Sequence, residues 1–154
     1  MSMILKSEEE AKEYFRRAAQ TCTPGAIILF HNQRKTVLSV LKNAAEKAGK
    51  RFIEQDLSVL PEGRIGSNRF ENKLPEWLGP VMEASTKGGS LLYMREFHFS
   101  GPVVKTDAMN LILKREVEGV KLPDNTLIVL GLLDTDDEAA GLSGTHTATF
   151  YRTV

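Results

Sequence analysis

The chain holds a single cysteine, Cys22. With no second thiol there is no internal disulfide and no metal site built on paired cysteines. An excess of charge of one sign is also missing: 20 Lys and Arg stand against 20 Asp and Glu, for a formal net charge of zero. Proteins that bind by neutralising phosphates carry a basic surplus, so the overall balance gives no support to a nucleic-acid binder and leaves only local basic patches open. No apolar run reaches the ~18 residues that a membrane-spanning helix needs. The opening Met1-Ser2-Met3-Ile4-Leu5-Lys6 turns polar too early for a signal peptide, so the cytosol is the expected compartment. No internal repeat, linker or low-complexity block divides the chain.

What is present reads as an ordinary globular chain. At 154 residues, with 42% hydrophobic and 26% charged residues, it is expected to form one domain over 1–154. Ser7 followed by Glu8, Glu9 and Glu10 is a helix start, with a hydroxyl cap and acids at the positive end of the dipole. That helix should run to Gln20, with Ala11, Tyr14, Phe15, Ala18 and Ala19 on one face. After the Thr23-Pro24-Gly25 break, Ala26-Ile27-Ile28-Leu29-Phe30 has the continuous apolar character of a strand buried on both faces.

Arg34 to Ala48 carries a helical stripe of Val37, Leu38, Leu41, Ala44, Ala45 and Ala48, closed by Gly49. Arg51 to Gln55 reads as a second strand, and Leu57 to Lys73 as a long surface excursion. A helix from Glu76 to Thr86 follows, with Pro80 implying a kink or a later start. Ser90 to Met94 is a third strand, Val104 to Glu116 a helix, Pro123-Asp124-Asn125 a turn and Thr126 to Leu130 a fourth strand. Thr147 to Arg152 is a candidate fifth. The alternation predicts an α/β fold: a three-layer α/β/α sandwich with a mainly parallel sheet of about five strands.

Ligands of such folds sit at the carboxyl ends of the strands. There the sequence places Phe30-His31-Asn32-Gln33-Arg34-Lys35-Thr36. A Lys-Thr pair opening a helix after a buried strand is how a phosphate-binding loop ends, with the Lys on the β/γ-phosphates and the hydroxyl on Mg²⁺. The glycines of that loop are absent. In a GxxxxGKT register Leu29 and Arg34 stand where glycine belongs, and residues with Cβ adopt the wrapped backbone reluctantly. The loop also runs about a residue short. Lys35 and Thr36 therefore also read as ordinary first-turn helix residues.

Taken together, the segments from Gly25 to Val154 resemble the AAA+ ATPases, specifically the MoxR-like branch. Gly25 to Leu57 resembles the strand, phosphate loop, helix and second strand that open that domain. Gly88-Gly89-Ser90-Leu91-Leu92-Tyr93-Met94-Arg95-Glu96-Phe97 resembles the Walker B strand, Val104 to Glu118 the helix with the "LLxxLEER" ending, and Leu122-Pro123-Asp124-Asn125 the "LPD" turn before the sensor strand. Asp137 to Gly141 is similar to a segment common after that strand. The resemblance implies a P-loop-type sheet and a nucleotide site. It also shows what has been replaced. Arg95 stands where the family's Walker B Asp holds the Mg²⁺ shell, and a cation there repels the metal. Glu96 takes the place of the water-activating Glu, and Leu133 that of a polar sensor residue. The C-terminal helical lid is not found, and Arg152 is a candidate for an inter-subunit arginine finger.

The expectation is a degenerate AAA+-like core without catalytic residues: a non-hydrolysing pseudo-ATPase that binds a protein partner or forms a homo-oligomer, with regulation of a partner ATPase as one use. A small, fast-diverging genome such as that of a phage or mobile element would suit it. No resident cofactor or metal is expected. The alternative is a weak ATP or ADP sensor, or an ATPase, whose remnant nucleotide site is Lys35, Thr36 and Glu96. A third reading, a nucleic-acid accessory, would use Arg16, Arg17, Lys35, Arg64 and Arg69. His31, His98 and His146 lie in three loops that could converge on a metal. Phe97-His98-Phe99 is either packed inward or a contact surface.

Overall fold

The computed structural model describes residues 3–21, 25–60, 75–117, 119–134 and 148–152. Cys22, Arg64, Arg69, His146 and the segment from Asp137 to Gly141 lie outside them.

The fold is α/β, with one six-stranded parallel sheet between helices. Strands β1 (Met3–Leu5), β2 (Gly25–His31), β3 (Arg51–Asp56), β4 (Ser90–Arg95), β7 (Thr126–Leu133) and β8 (Ala148–Tyr151) lie in the order β1-β8-β2-β7-β4-β3. Every pairing in this sheet is parallel. The sequence predicts about five of these strands. The sixth, β1, has three residues and no periodicity of its own; it exists because Met3–Leu5 aligns with Thr149–Tyr151 at the sheet edge. β5 (Glu116–Val117) and β6 (Val120–Lys121) form a separate small hairpin.

Topology decides which face each helix covers. The connections β1→β2 and β2→β3 run one way along the sheet, whereas β3→β4 and β4→β7 run the other. With right-handed crossovers, α1 (Glu8–Gln20) and α2 (Arg34–Lys47) share one face, and α3 (Leu78–Ala84) and α4 (Pro102–Lys114) the other. The two cores agree. Ile27, Leu29, Leu91, Tyr93, Leu127 and Val129 pack with Phe15, Val37 and Leu41, while Ile28, Phe30, Leu92, Met94, Ile128 and Leu130 pack with Val81, Val104 and Leu111. The period-two split of the apolar runs is what two covered faces require.

Local chemistry sets the helix ends. The Ser7 hydroxyl accepts the Glu10 N–H at 3.1 Å to start α1. α3 begins at Leu78 instead of Glu76, which puts Pro80 in the first turn, where its missing N–H costs nothing. α4 likewise starts at Pro102 and stops at Lys114, because Arg115 turns left-handed (φ 53°). The Arg115 guanidinium then donates to the carbonyls of Gly25 (2.9 Å), Pro123 (3.1 Å) and Thr126 (2.7 Å). The Leu122-Pro123-Asp124-Asn125 turn is thus fastened at the amino end of the sheet, with Asn125 donating to the Ser85 carbonyl and Lys50 to that of Asn125.

One glycine of β7 brings the sheet and the site together. A Cβ on Gly131 would lie 2.8 Å from the Tyr93 hydroxyl and 2.9 Å from its ring, and Tyr93 is fully packed. Gly131→Ala is expected to cost about 1–3 kcal/mol through overpacking. Urea unfolding should show the loss, and Tyr93→Phe in the Gly131→Ala background should recover part of it.

Candidate functional site

Chain connections diverge at the carboxyl ends of β2, β4 and β7. The chain leaves β2 for α2 on one face and β4 for α4 on the other, so a crevice opens between them at the switch point. Only Asn32 and Gln33 separate β2 from α2. A two-residue link cannot wrap its N–H groups around a phosphate; instead the Gln33 N–H turns back to His31 Nδ1 at 3.2 Å.

Arg34, the first residue of α2, reaches across the crevice. Its Nε donates to Glu96 Oε1 at 2.6 Å and Nη2 to Oε2 at 3.1 Å, the forked geometry that binds a carboxylate best. Glu96 is only 8% exposed and stands in the left-handed region (φ 64°), a conformation that a residue with Cβ holds only when its surroundings enforce it. The Arg34 fork is the largest influence on its carboxyl and holds its pKa below the usual range, with the nearby His98 adding to the effect. His98 Nε2 is 3.8 Å from Glu96 Oε2, and its Nδ1 accepts the Leu133 N–H at 3.0 Å.

Behind this pair, His31 is buried and lies 3.4 Å from the Tyr93 hydroxyl through Nε2. Because Nδ1 accepts the Gln33 N–H, the Nε2 proton points at Tyr93. Burial pushes the His31 pKa down to about 4 and the Tyr93 pKa well up, so both stay neutral. The space left among His31, Asn32, Arg34, Glu96, His98, Gly131 and Leu133 is about 10 Å³, room for about one water. A wider cleft of about 190 Å³ lies outside the pair, lined by Arg34, Lys35, Leu38, Glu54, Tyr93, Arg95 and Glu96.

The sequence-predicted residues separate here. Lys35 is exposed and shares the outer cleft with Glu96, whereas Thr36, half-buried on α2, lines neither space. Arg95 turns to the sheet edge, 3.3 Å from both Glu54 and Asp56. Leu133 contributes a backbone N–H to His98 and no polar side chain. Arg152 forks onto Asp134 at 2.7 and 3.0 Å and lies over the Phe150 ring. His31 and His98 do share the crevice. Of the aromatic triplet, Phe97 is packed inward and Phe99 is exposed. Arg16 and Arg17 both engage Glu13 on α1. Sequence reasoning missed the partner of Glu96; its signal was Arg34 itself, the basic residue that opens α2.

No family model and no curated protein matches the chain. Among solved structures it is similar to a chain of the crystal structure of Rif2 in complex with the C-terminal domain of Rap1, with a TM-score of 0.47 and 9% identity. The match covers 94% of this chain and 51% of that one, so this chain spans about half the other's length. No helix among the described residues is long and apolar enough to cross a membrane.

The buried His31 ties stability to pH. Its folded pKa of about 4 lies below the unfolded ~6.5, so the unfolded chain binds the extra proton in between. The stability from neutral His31 is complete above pH ~6.5 and is lost as pH falls toward 4, by about 3 kcal/mol in all. Urea midpoints across this range should fall more steeply for the native chain than for His31→Gln.

Proposed function

We propose that this chain is a non-hydrolysing, AAA+-like pseudo-ATPase domain that acts by binding protein, as a partner-binding or oligomerising module, with control of a partner ATPase as one use. The observation that carries the reading is the Arg34–Glu96 pair. An arginine occupies the position of a phosphate-loop glycine, and its guanidinium neutralises the one acid that would activate water. With about 10 Å³ left behind the pair, a triphosphate has no room in that inner space. Arg95 adds a cation where Mg²⁺ would need an anion, and its own carboxylate neighbours, Glu54 and Asp56, are spent on it.

Isothermal titration tests this. With ATP or ADP, and with or without Mg²⁺, no heat of binding is expected at millimolar nucleotide, and no ATP turnover. Mg²⁺-dependent hydrolysis that disappears in Lys35→Ala would defeat the proposal.

A second reading has one observation in its favour: Arg34, Lys35 and Arg95 line the 190 Å³ outer cleft together. A nucleotide sensor using that cleft with Lys35 and Glu96 would bind without hydrolysis. It predicts a rise in thermal midpoint with ATP or ADP that Lys35→Ala removes, since a ligand specific to the folded state stabilises it by mass action.

A further inference from the structure

Helix α2 turns one side away from both cores, and a groove of about 400 Å³ runs over it, lined by Lys35, Leu38, Ser39, Lys42, Asn43 and Glu46. These positions share a face because they recur at the helical period, opposite the buried stripe of Val37, Leu41 and Ala44. Lys35 and Leu38 also line the 190 Å³ outer cleft, so cleft and groove adjoin and make one trough from the carboxyl end of the sheet along α2. At 1.5 Å of rise per residue, Lys35 and Lys42 stand about 10 Å apart along the helix, with Glu46 about 6 Å beyond.

The two parts of the trough differ in how their charges are used. In the cleft, Arg34 is satisfied by Glu96, and Arg95 by Glu54 and Asp56. In the groove, Lys35, Lys42 and Glu46 are all exposed, and among the described residues none of the three forms an ion pair. Lys42 and Glu46 have the four-residue spacing at which helices commonly pair opposite charges. The Lys42 ammonium instead lies 5.9 Å from the ring centroid of Phe52 on β3. The first turn of α2 holds no acid, so the positive end of its dipole adds to Lys35. From the sheet end outward, the trough presents a cation, the apolar Leu38, a second cation and then an anion.

From this order we infer that the trough is a docking groove for a segment of a partner protein with the complementary pattern. That segment carries two carboxylates about 10 Å apart, an aliphatic side chain between them over Leu38, and a cation about 6 Å past the second carboxylate. The inference rests on the protein-binding reading above and names the partner's chemistry. Groove charges with no internal partner give up no ion pair when a ligand arrives, and complementary charge fixes register and speeds encounter. Glu46 and the zero net charge of the chain disfavour a polyanion, whose phosphates would pass Glu46 with the same sign.

The test uses the full chain and a fluorescent, Ala-rich helical peptide with Lys, Glu, Leu and Glu at its third, seventh, eleventh and fourteenth positions. Laid antiparallel to α2, it matches Glu46, Lys42, Leu38 and Lys35 in turn, with the two helix dipoles opposed. A peptide with every charge reversed, mixed-sequence single-stranded DNA and sedimentation of the chain alone are run in parallel. The first peptide is expected to bind at least about tenfold more tightly than its reversed form, a preference that high salt erases. Lys42→Glu should weaken it at least about fivefold with an unchanged unfolding midpoint, since the side chain is exposed. The triple swap Lys35→Glu, Lys42→Glu, Glu46→Lys should transfer the preference to the reversed peptide. Equal affinity for the two peptides, no binding of either, or indifference to Lys42→Glu would overturn the inference. Tighter binding of DNA that Lys42→Glu abolishes would overturn it in favour of nucleic acid. Self-association lost in Lys42→Glu, without peptide binding, would overturn it in favour of a second copy of the chain. ATP titration of the same samples keeps the two proposals apart, since nucleotide binding would defeat the pseudo-ATPase reading without touching the peptide result.

Discussion

A carboxylate removed from water at the end of a parallel sheet needs a cation, and the bidentate bond between Arg34 and Glu96 answers that need. Its consequences spread outward. It holds Glu96 in a left-handed turn, which directs Phe97 into the core and Phe99 into solvent. It anchors the first turn of α2, whose start at Gln33 has no side-chain capping bond to the helix. It also closes the crevice at the switch point, where a parallel sheet otherwise offers its best ligand site. Arg34 is half-exposed, so the pair is screened on one side and its contribution to stability is modest beside its contribution to shape.

The charges along this edge are settled pair by pair. Arg95 is held by Glu54 and Asp56, and Arg152 by Asp134. Arg152 also links the end of β8 to that of β7 across β2, and its N–H donates to the Leu5 carbonyl at 2.9 Å, so the edge strand β1 and the end of the sheet are tied by one residue. A nucleotide site needs unspent cations aimed at one point and a carboxylate free for a metal. Here Arg34, Arg95 and Arg152 are spent on internal carboxylates.

Much of the architecture was legible because its signals are local. Ile27 to Phe30 and Leu127 to Leu130 are apolar at every position, which only a strand covered on both faces tolerates, and Val37, Leu41 and Ala44 carry their period of 3.6 openly. What was not legible depends on distant partners. β1 is a strand only because Thr149 to Tyr151 lies beside it. Helix α4 ends two residues short of Glu116 because Arg115 finds the carbonyls of Gly25, Pro123 and Thr126. At the site, Glu96 was visible as an acid after a buried strand, and Arg34 as a basic residue opening the helix after β2. The pairing of Arg34 with Glu96 was not, since sequence spacing says nothing of which side chains meet across a sheet end. The Leu122-Pro123-Asp124-Asn125 turn lies at the opposite end of the sheet, where Arg115 and Lys50 hold it, and takes no part in this site.

The central claim is that an internal ion pair fills the place a nucleotide would take. The most direct measurement follows the Arg34 side-chain Nε–Hε resonance by NMR while Mg²⁺·ATP is added to several millimolar. The account predicts a slowly exchanging, hydrogen-bonded signal that disappears in Glu96→Gln and stays unmoved by nucleotide. A signal that shifts and saturates with ATP would show the pair opening to admit phosphate, and would contradict it.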